Sequence, residues 1–170
     1  ENVYTVGFFT DTVDFDPSVG GNFTLIADSS VNPDIFISKL DRNGNFVWAK
    51  SIGGTDSDIG EGLAIDTFAN VFVTGSFKGT VDFDPGSSIV NLISNNSLDI
   101  FVCKFDSAAN FLWAKAMGGS GDERPRSIKL DPVGNIYTSG YFAGTGDFNP
   151  DSVLIYALNS TGLDDIYISK

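Results

Sequence analysis

Paired carboxyl groups are the residues of this sequence whose types and spacing could most readily do chemistry. Three similar acidic turns, VDFDP, VDFDP and GDFNP, contain the pairs Asp14 and Asp16, Asp82 and Asp84, and Asp147 and Asn149. In an extended chain, residues two apart point to the same face, so each pair presents its side-chain oxygens together. Calcium binds carboxylate, amide and backbone oxygens. The third turn replaces Asp by Asn, a change that calcium tolerates and acid–base catalysis does not.

Turn formation is the competing interpretation of the same three stretches. An Asp before Pro commonly fixes a turn through its own backbone. The intervening Phe15, Phe83 and Phe148 would then anchor the loop in an apolar slot. Because a feature present in every repeat usually serves the repeat itself, the pattern favours turn formation. Calcium binding by the six residues stays open as a prediction.

A second acidic stretch, GTDSDIGEG at 54–62, has a counterpart, GSGDERPR, at 119–126. Its spacing differs from the calcium-binding EF-hand pattern, and the second copy contains two arginines beside its acids. We therefore expect both stretches to be solvated loops that link strands. Their acidic residues are Asp56, Asp58 and Glu61 in the first copy, and Asp122 and Glu123 in the second.

Composition excludes several classes of function. The chain of 170 residues contains no histidine, which removes Ser-His-Asp and Cys-His catalysis and histidine-ligated metals. The single cysteine, Cys103, excludes an internal disulfide and predicts a small buried apolar residue. A formal net charge of −12 repels phosphate backbones, so nucleic acid is a poor partner. No apolar run approaches the roughly 18–20 residues that span a bilayer, so we expect a soluble chain without membrane insertion.

Self-similarity along the chain shows how these residues are positioned. NVYTVGFF at 2–9 returns at 70–77 and 135–142, and DIFISKLD at 34–41 returns at 99–106 and in part at 165–170. NFVWAKSIGG at 45–54 returns once, at 110–119. The spacing from the DIF run to the following acidic turn is the same in both complete copies, whereas the return from that turn to the next DIF run varies in length. We therefore expect a fixed body of four strands and a variable connector that begins at the acidic turn.

The runs predict one all-β region over residues 1–170, built from antiparallel four-stranded units of β-propeller type. About two and a half units of roughly 65 residues are expected, at approximately 2–69, 70–134 and 135–170. Such a count does not close a ring, so the chain is expected to be part of a larger propeller or an assembly of copies. The matched tryptophans, Trp48 and Trp113, are expected to pack between units. The recurring lysines are expected to be outward-facing or edge charges that discourage false strand pairing: Lys39, Lys50, Lys104 and Lys115.

The DIF-x-x-K, WAK-x-x-GG and GN-[VI]-Y-x-x-G runs together resemble the SBBP-type β-propeller repeats of secreted bacterial proteins. The inserted VDFDPG is similar to a variant in large cell-surface repeat proteins, which are often exported by type IX secretion. The resemblance implies an extracellular or cell-surface location. Its partners would be other repeats of the chain, other copies, an extracellular protein or a glycan.

Repetition, acidity and the lack of histidine favour a non-enzymatic module for adhesion, binding or structural scaffolding. A calcium-dependent carbohydrate-binding propeller is the alternative, and it needs both metal at the acidic turns and an exposed aromatic residue. A carboxylate-based glycoside hydrolase or lyase is less favoured, because a catalytic pair is usually unique whereas each acid pair here is repeated.

Overall fold

The computed structural model describes residues 1–95, 97–151 and 154–170, and all regular structure in these ranges is β-strand, in sixteen segments. Branched and aromatic residues fill the longer strands, and Asp, Asn and Gly separate them, as expected for short strands joined by tight turns. The described residues contain no helix that could cross a bilayer. In chain order the strands are β1 (Val3–Phe9), β2 (Thr12–Asp14), β3 (Thr24–Ile26), β4 (Asp34–Leu40), β5 (Phe46–Ile52), β6 (Ile59–Ile65), β7 (Val71–Phe77), β8 (Thr80–Asp82), β9 (Asn91–Ile93), β10 (Asp99–Phe105), β11 (Phe111–Gly119), β12 (Glu123–Leu130), β13 (Ile136–Phe142), β14 (Thr145–Asp147), β15 (Ala157–Asn159) and β16 (Asp165–Ser169).

Three antiparallel sheets follow one another along the chain. The first has the order β1-β4-β5, the second contains β6-β7-β10-β11, and the third has the order β12-β13-β16. The hairpin β14-β15 joins the end of β11 and extends the second sheet to six strands, while β2-β3 and β8-β9 are separate two-stranded hairpins. Within the described ranges, no sheet closes on itself. The all-β antiparallel architecture expected from the sequence is confirmed.

A repeated turn joins β4 to β5 and β10 to β11. Asp41 accepts hydrogen bonds on Oδ1 from the backbone N–H groups of Asn43 and Asn45, at 2.7 and 2.9 Å. Gly44 supplies the left-handed conformation that the turn requires, with a φ of 84°. In the second copy Ala109 adopts that conformation instead, with a φ of 64°. The hairpin predicted for DRNGN and for its partner DSAAN is thereby confirmed.

The expected four-strand body does not form one sheet. Its first two runs pair as β10 and β11, but the next two pair as β12 and β13 in the following sheet. The chain leaves the second sheet after Gly119 and enters the third at Glu123. The constant length therefore reflects a crossing between packed sheets, which tolerates little change in spacing. In a four-stranded sheet, the acidic turn forms a hairpin between the second and third strands. In the second sheet this hairpin is β8-β9, which lies along the chain between the paired strands β7 and β10.

Two apolar clusters form where neighbouring sheets pack face to face. The first unites Ile35 and Ile37 of the first sheet with Val71, Val73 and Phe101 of the second. The other face of the second sheet packs on the third. Its cluster comprises Phe72, Ile100, Val102, Met117, Ile128, Phe142, Phe148 and Tyr167. Cys103 is fully buried in the first cluster, and burial raises the pKa of its thiol, as predicted for a small apolar residue.

Candidate functional site

The acidic turns use their carboxyl groups to hold backbone. Asp82 Oδ1 accepts hydrogen bonds from the N–H groups of Asp84 and Val90, at 3.1 and 2.9 Å, and so joins the two arms of the hairpin. Asp84 Oδ1 accepts one from the N–H of Gly86, at 2.8 Å. The side-chain carboxylate thus performs the turn-forming role that the pattern favoured.

The other two turns repeat this arrangement. Asp14 Oδ1 accepts from the N–H groups of Asp16 and Phe23, and these bonds lower the pKa of Asp14. Asp16 Oδ1 accepts from the N–H of Ser18 at 2.9 Å. In the third turn, Asp147 Oδ1 accepts from the N–H groups of Asn149 and Tyr156, at 3.0 and 2.8 Å. The Asn149 amide oxygen accepts from Asp151, and its amide nitrogen donates to the carbonyl of Leu154.

The phenylalanine of each turn anchors the hairpin on its sheet. Phe83 is fully buried, with its ring centroid 5.4 Å from that of Phe77. Phe148 is buried against Phe142, with centroids 4.9 Å apart, while Phe15 is half-buried beside Phe9. Among the described residues, no group of three or more acidic, His or Cys side chains is arranged to hold a metal ion. Calcium binding at the acidic turns stays a prediction.

The expectation that the second acidic stretch is a solvated loop is wrong for Asp58. This side chain is 0% exposed. Its Oδ2 accepts from the N–H of Gly54 at 2.8 Å and its Oδ1 from the N–H of Lys78 at 3.1 Å, while its own N–H donates to the carbonyl of Pro33 at 2.8 Å. A single residue therefore ties together the ends of three chain segments where the first sheet meets the second.

Glu123, the counterpart of Asp58, is also 0% exposed, so the expectation fails for the second copy as well. Its N–H donates to the carbonyl of Leu98 at 2.7 Å, and its Oε2 accepts from the N–H of Gly119 at 3.1 Å. Each of these acids lies beside a second buried acid at the start of a DIF strand. The two buried acid pairs are Asp34 with Asp58 and Asp99 with Glu123.

Glycine makes room for the DIF carboxyl group in each pair. A methyl group on Gly53 would lie 2.2 Å from Cγ of Asp34, and one on Gly118 would lie 2.3 Å from Cγ of Asp99. No side chain fits at such a distance, so the first glycine of each WAK-x-x-GG run is required by the buried acid. The GG run was the sequence signal that could have located these pairs.

The buried acid pairs have carboxyl oxygens without partners. Oδ1 of Asp34, Oδ1 of Asp99 and Oε1 of Glu123 are buried and accept no hydrogen bond. The two ion pairs found among the described residues are Arg124 with Asp122 and Arg126 with Glu61, and neither involves a buried pair. Removal from water therefore favours the neutral acid.

Burial is the main cause of the raised pKa values in these pairs. It raises the pKa of Asp58 to about 7 and that of Glu123 to about 8, against the opposing hydrogen bonds that each accepts. The pKa values of Asp34 and Asp99 rise to about 6 for the same reason. At neutral pH the pairs are therefore partly protonated, so the packing between neighbouring sheets should depend on pH.

The matched tryptophans pack where neighbouring sheets meet, as predicted. Trp48 is half-buried against the first cluster and edge-on to Tyr4, with centroids 6.1 Å apart. Trp113 packs against the second cluster and edge-on to Phe72, at 6.3 Å. The expected outward position of Lys39 is wrong, because this side chain is buried and donates from Nζ to the carbonyl of Ser107 at 3.2 Å.

An open groove lies beside Trp113, between β11 of the second sheet and β16 of the third. Its volume is about 410 Å³, and Val102, Met117 and Ile136 contribute apolar surface to it. Lys115 and Lys170 place two cationic side chains at the same groove. The corresponding tryptophan, Trp48, has its indole nitrogen fully buried.

The two terminal sheets each leave one apolar face uncovered. Ile166 and Ile168 of β16 are 83% and 77% exposed, whereas the equivalent Ile100 and Val102 of β10 are 0% and 7% exposed. On the first sheet, Val3 is 54% exposed while its equivalent, Val71, is fully buried. Between neighbouring sheets these positions form the core, so the same packing surface recurs at both ends of the described chain.

Sheets packed in tandem, with matching cores, define an all-β repeat protein. Residues 47–76 match the SBBP family, described as a β-propeller repeat. The matched range ends before Asp82, so it supports the repeat family and does not include the VDFDPG turn.

Two curated relatives cover more of the chain. An uncharacterised WD repeat-containing protein, L264, of Acanthamoeba polyphaga mimivirus is 33% identical over 147 residues, which is 80% of this chain and 11% of that protein. The regulatory protein FlaEY of Caulobacter vibrioides is 28% identical over 107 residues, 63% of this chain and 11% of that protein. The chain thus spans about a ninth of the length of each of these relatives.

Proposed function

We propose that this chain is part of a non-enzymatic, extracellular or cell-surface repeat module of β-propeller type that acts in adhesion, binding or structural scaffolding. Its blades are four-stranded, in the order β6-β7-β10-β11, and its acidic hairpins project between the second and third strands. Its partners are further repeats, of the same chain or of other copies.

The observation that carries this proposal is the recurrence of one packing surface. The second sheet buries Val71 against the first sheet and Ile100 against the third, while the equivalent Val3 and Ile166 lie exposed. Apolar β-branched residues in such a row gain roughly 1.5–3 kcal/mol each when they are fully buried. Another sheet of the same kind is the surface that fits them best.

A scaffolding role agrees with the use that the chain makes of its acids. The carboxyl groups of the acidic turns hold hairpin backbone, and those of the buried pairs hold the crossings between sheets. Both curated relatives are longer proteins, one named for its WD repeats and one as a regulatory protein. Neither name describes a reaction, which supports a binding role over an enzymatic one.

Sedimentation velocity over a wide range of concentration tests the packing surface. We expect the 170-residue chain to associate, and the variant with Ile166→Lys and Ile168→Lys to stay monomeric with an unchanged circular dichroism spectrum. A chain that is monomeric at every concentration would contradict packing through these faces.

Surface location needs a separate measurement. An antibody against the chain should label intact source cells without permeabilisation, and labelling only after permeabilisation would contradict it.

A further inference from the structure

The edge of β16 and the groove beside Trp113 meet at Ser169. β16 pairs with β13 through one edge, from Asp165 opposite Phe142 to Ser169 opposite Thr138. In the described part of the chain, no strand pairs with its other edge. Ser169, at the end of β16, lines the groove together with Trp113 of the second sheet. Unpaired backbone N–H and C=O groups thus border an apolar depression, which is the geometry that strand addition uses.

The corresponding place in the second sheet is filled by β11. β10, the equivalent of β16, pairs with β7 on one edge and with β11 on the other. Three side chains of β11 pack on the cluster between the first and second sheets: Phe111, Ala114 and Ala116. The first sheet repeats the order, with β5 paired to β4. The molecule therefore contains two examples of the segment that suits such an edge.

Alternation along β11 shows which side chains of an added strand of this type would enter the groove. Ala114 and Ala116 face the first sheet, whereas Trp113 and Met117 pack on the opposite cluster, towards the third sheet. Small residues at the two inward positions let the strand approach the neighbouring sheet closely, and a larger or charged residue there would be pushed into the apolar surface.

We propose that the free edge of β16 binds an antiparallel β-strand of the β11 type, whose two alternate alanines enter the groove beside Trp113. The occupant is an extended segment with an aromatic residue followed, three and five positions later, by alanines, as in Phe111, Ala114 and Ala116. This inference rests on the proposed function, because it identifies the kind of segment through which a further repeat attaches. It adds an edge contact to the face contact made by Ile166 and Ile168.

Hydrogen–deuterium exchange of the whole chain with a synthetic peptide tests the proposal. The peptide copies residues 110–119, NFLWAKAMGG. We expect it to slow exchange of the β16 amides and to leave exchange in β7 and β10 unchanged. A matched peptide with Ala114→Glu and Ala116→Glu should give no protection. A second control peptide, with Lys115→Gln on the outward face, should protect β16 as the parent peptide does.

Three outcomes would overturn the inference: no protection of β16, equal protection by the double-glutamate peptide, or protection of the free edges of β1 and β5 without β16. The peptide result is distinguishable from that of the proposed function. The β16 edge can bind the peptide in the Ile166→Lys and Ile168→Lys variant, since those side chains lie on the face of β16 opposite Tyr167 and the groove. Association without peptide binding would leave the proposed function standing and refute the edge contact alone.

Discussion

The buried acid pairs should make the stability of this protein fall as the pH rises through neutrality. Asp58 and Glu123 have raised pKa values in the folded chain, whereas in the unfolded chain they ionise at ordinary values of 3.8 and 4.5. Between the two values the unfolded state releases a proton that the folded state retains. Stability is therefore fully present below the unfolded pKa and is lost as the pH rises to the folded pKa.

The expected loss is large compared with the stability of a typical domain. For Asp58, a rise in pKa from 3.8 to about 7 corresponds to about 4 kcal/mol of unfolding free energy. For Glu123, a rise from 4.5 to about 8 corresponds to about 5 kcal/mol. Asp34 and Asp99 titrate together with these residues, so their contributions are not added. A typical domain has about 5–15 kcal/mol in total.

Urea unfolding at a series of pH values, followed by tryptophan fluorescence, measures the effect. Exposed carboxyl groups are fully ionised above about pH 6, so general charge repulsion changes little from there upward. The free energy of unfolding should still fall between about pH 6 and pH 8.

The variant Glu123→Gln, neutral at every pH, gives the decisive comparison. It should lose the part of this slope that belongs to the second pair and become more stable than the wild-type chain at about pH 8. Asp164→Asn, on an exposed loop, should follow the wild-type curve. A wild-type stability that is constant or rises from about pH 6 to pH 8 would refute the reasoning, as would a Gln variant with an unchanged slope.

Substitutions at a glycine, the two tryptophans and a turn carboxyl group test the packing and the turns. Gly53→Ala should destabilise the chain severely, because its methyl group would lie 2.2 Å from Asp34. Adding Asp34→Ala should recover part of the loss in a chemical-denaturation cycle, and strict additivity would contradict the contact. Trp48→Ala should cost about 3–5 kcal/mol and Trp113→Ala less, because Trp113 lines an open groove whereas the indole nitrogen of Trp48 is fully buried; equal shifts in melting temperature would contradict this difference. Asp82→Ala should cost about 1–3 kcal/mol through two lost hydrogen bonds. If the turns bind calcium, chelator should lower the melting temperature of the wild-type chain, and the double variant Asp82→Asn with Asp84→Asn should lose the part of that shift that comes from its turn.

Local features of this fold could be predicted from the sequence because they depend on a few adjacent residues. The DRNGN turn has Asp41 to accept backbone hydrogen bonds and Gly44 to adopt a positive φ, and both are visible in the sequence. The grouping of strands into sheets could not be predicted in the same way. Self-similarity determines the period of a repeat and leaves open where each sheet begins. That boundary depends on whether β11 pairs with β12 or the chain crosses to the next sheet, which is decided by long-range packing.

The buried acid pairs escaped prediction for a related reason. Asp58 lies in a stretch with two other acids, Asp56 and Glu61, and Glu123 is followed directly by Arg124. Both settings are typical of solvent, where most acidic residues lie. The burial of the acid pairs becomes evident only when Gly53 is placed against Asp34 and Gly118 against Asp99. These contacts join residues that are distant in sequence. Lys39 was misassigned in the same way, because its partner Ser107 belongs to the next sheet.

The two kinds of acid stabilise the repeat at different levels, and this difference predicts how the protein responds to its surroundings. The acids of the acidic turns accept backbone hydrogen bonds within the hairpins, and in the first turn two such bonds lower the pKa of Asp14 and so favour its carboxylate form. Those of the buried pairs are stable as neutral acids, so a rising pH weakens the contact between sheets while the hairpins persist. Alkaline conditions should therefore separate neighbouring sheets before they unfold the hairpins. Hydrogen exchange at about pH 9 should then show β6 and β12 losing protection ahead of β8 and β14, and the reverse order would contradict this division of roles.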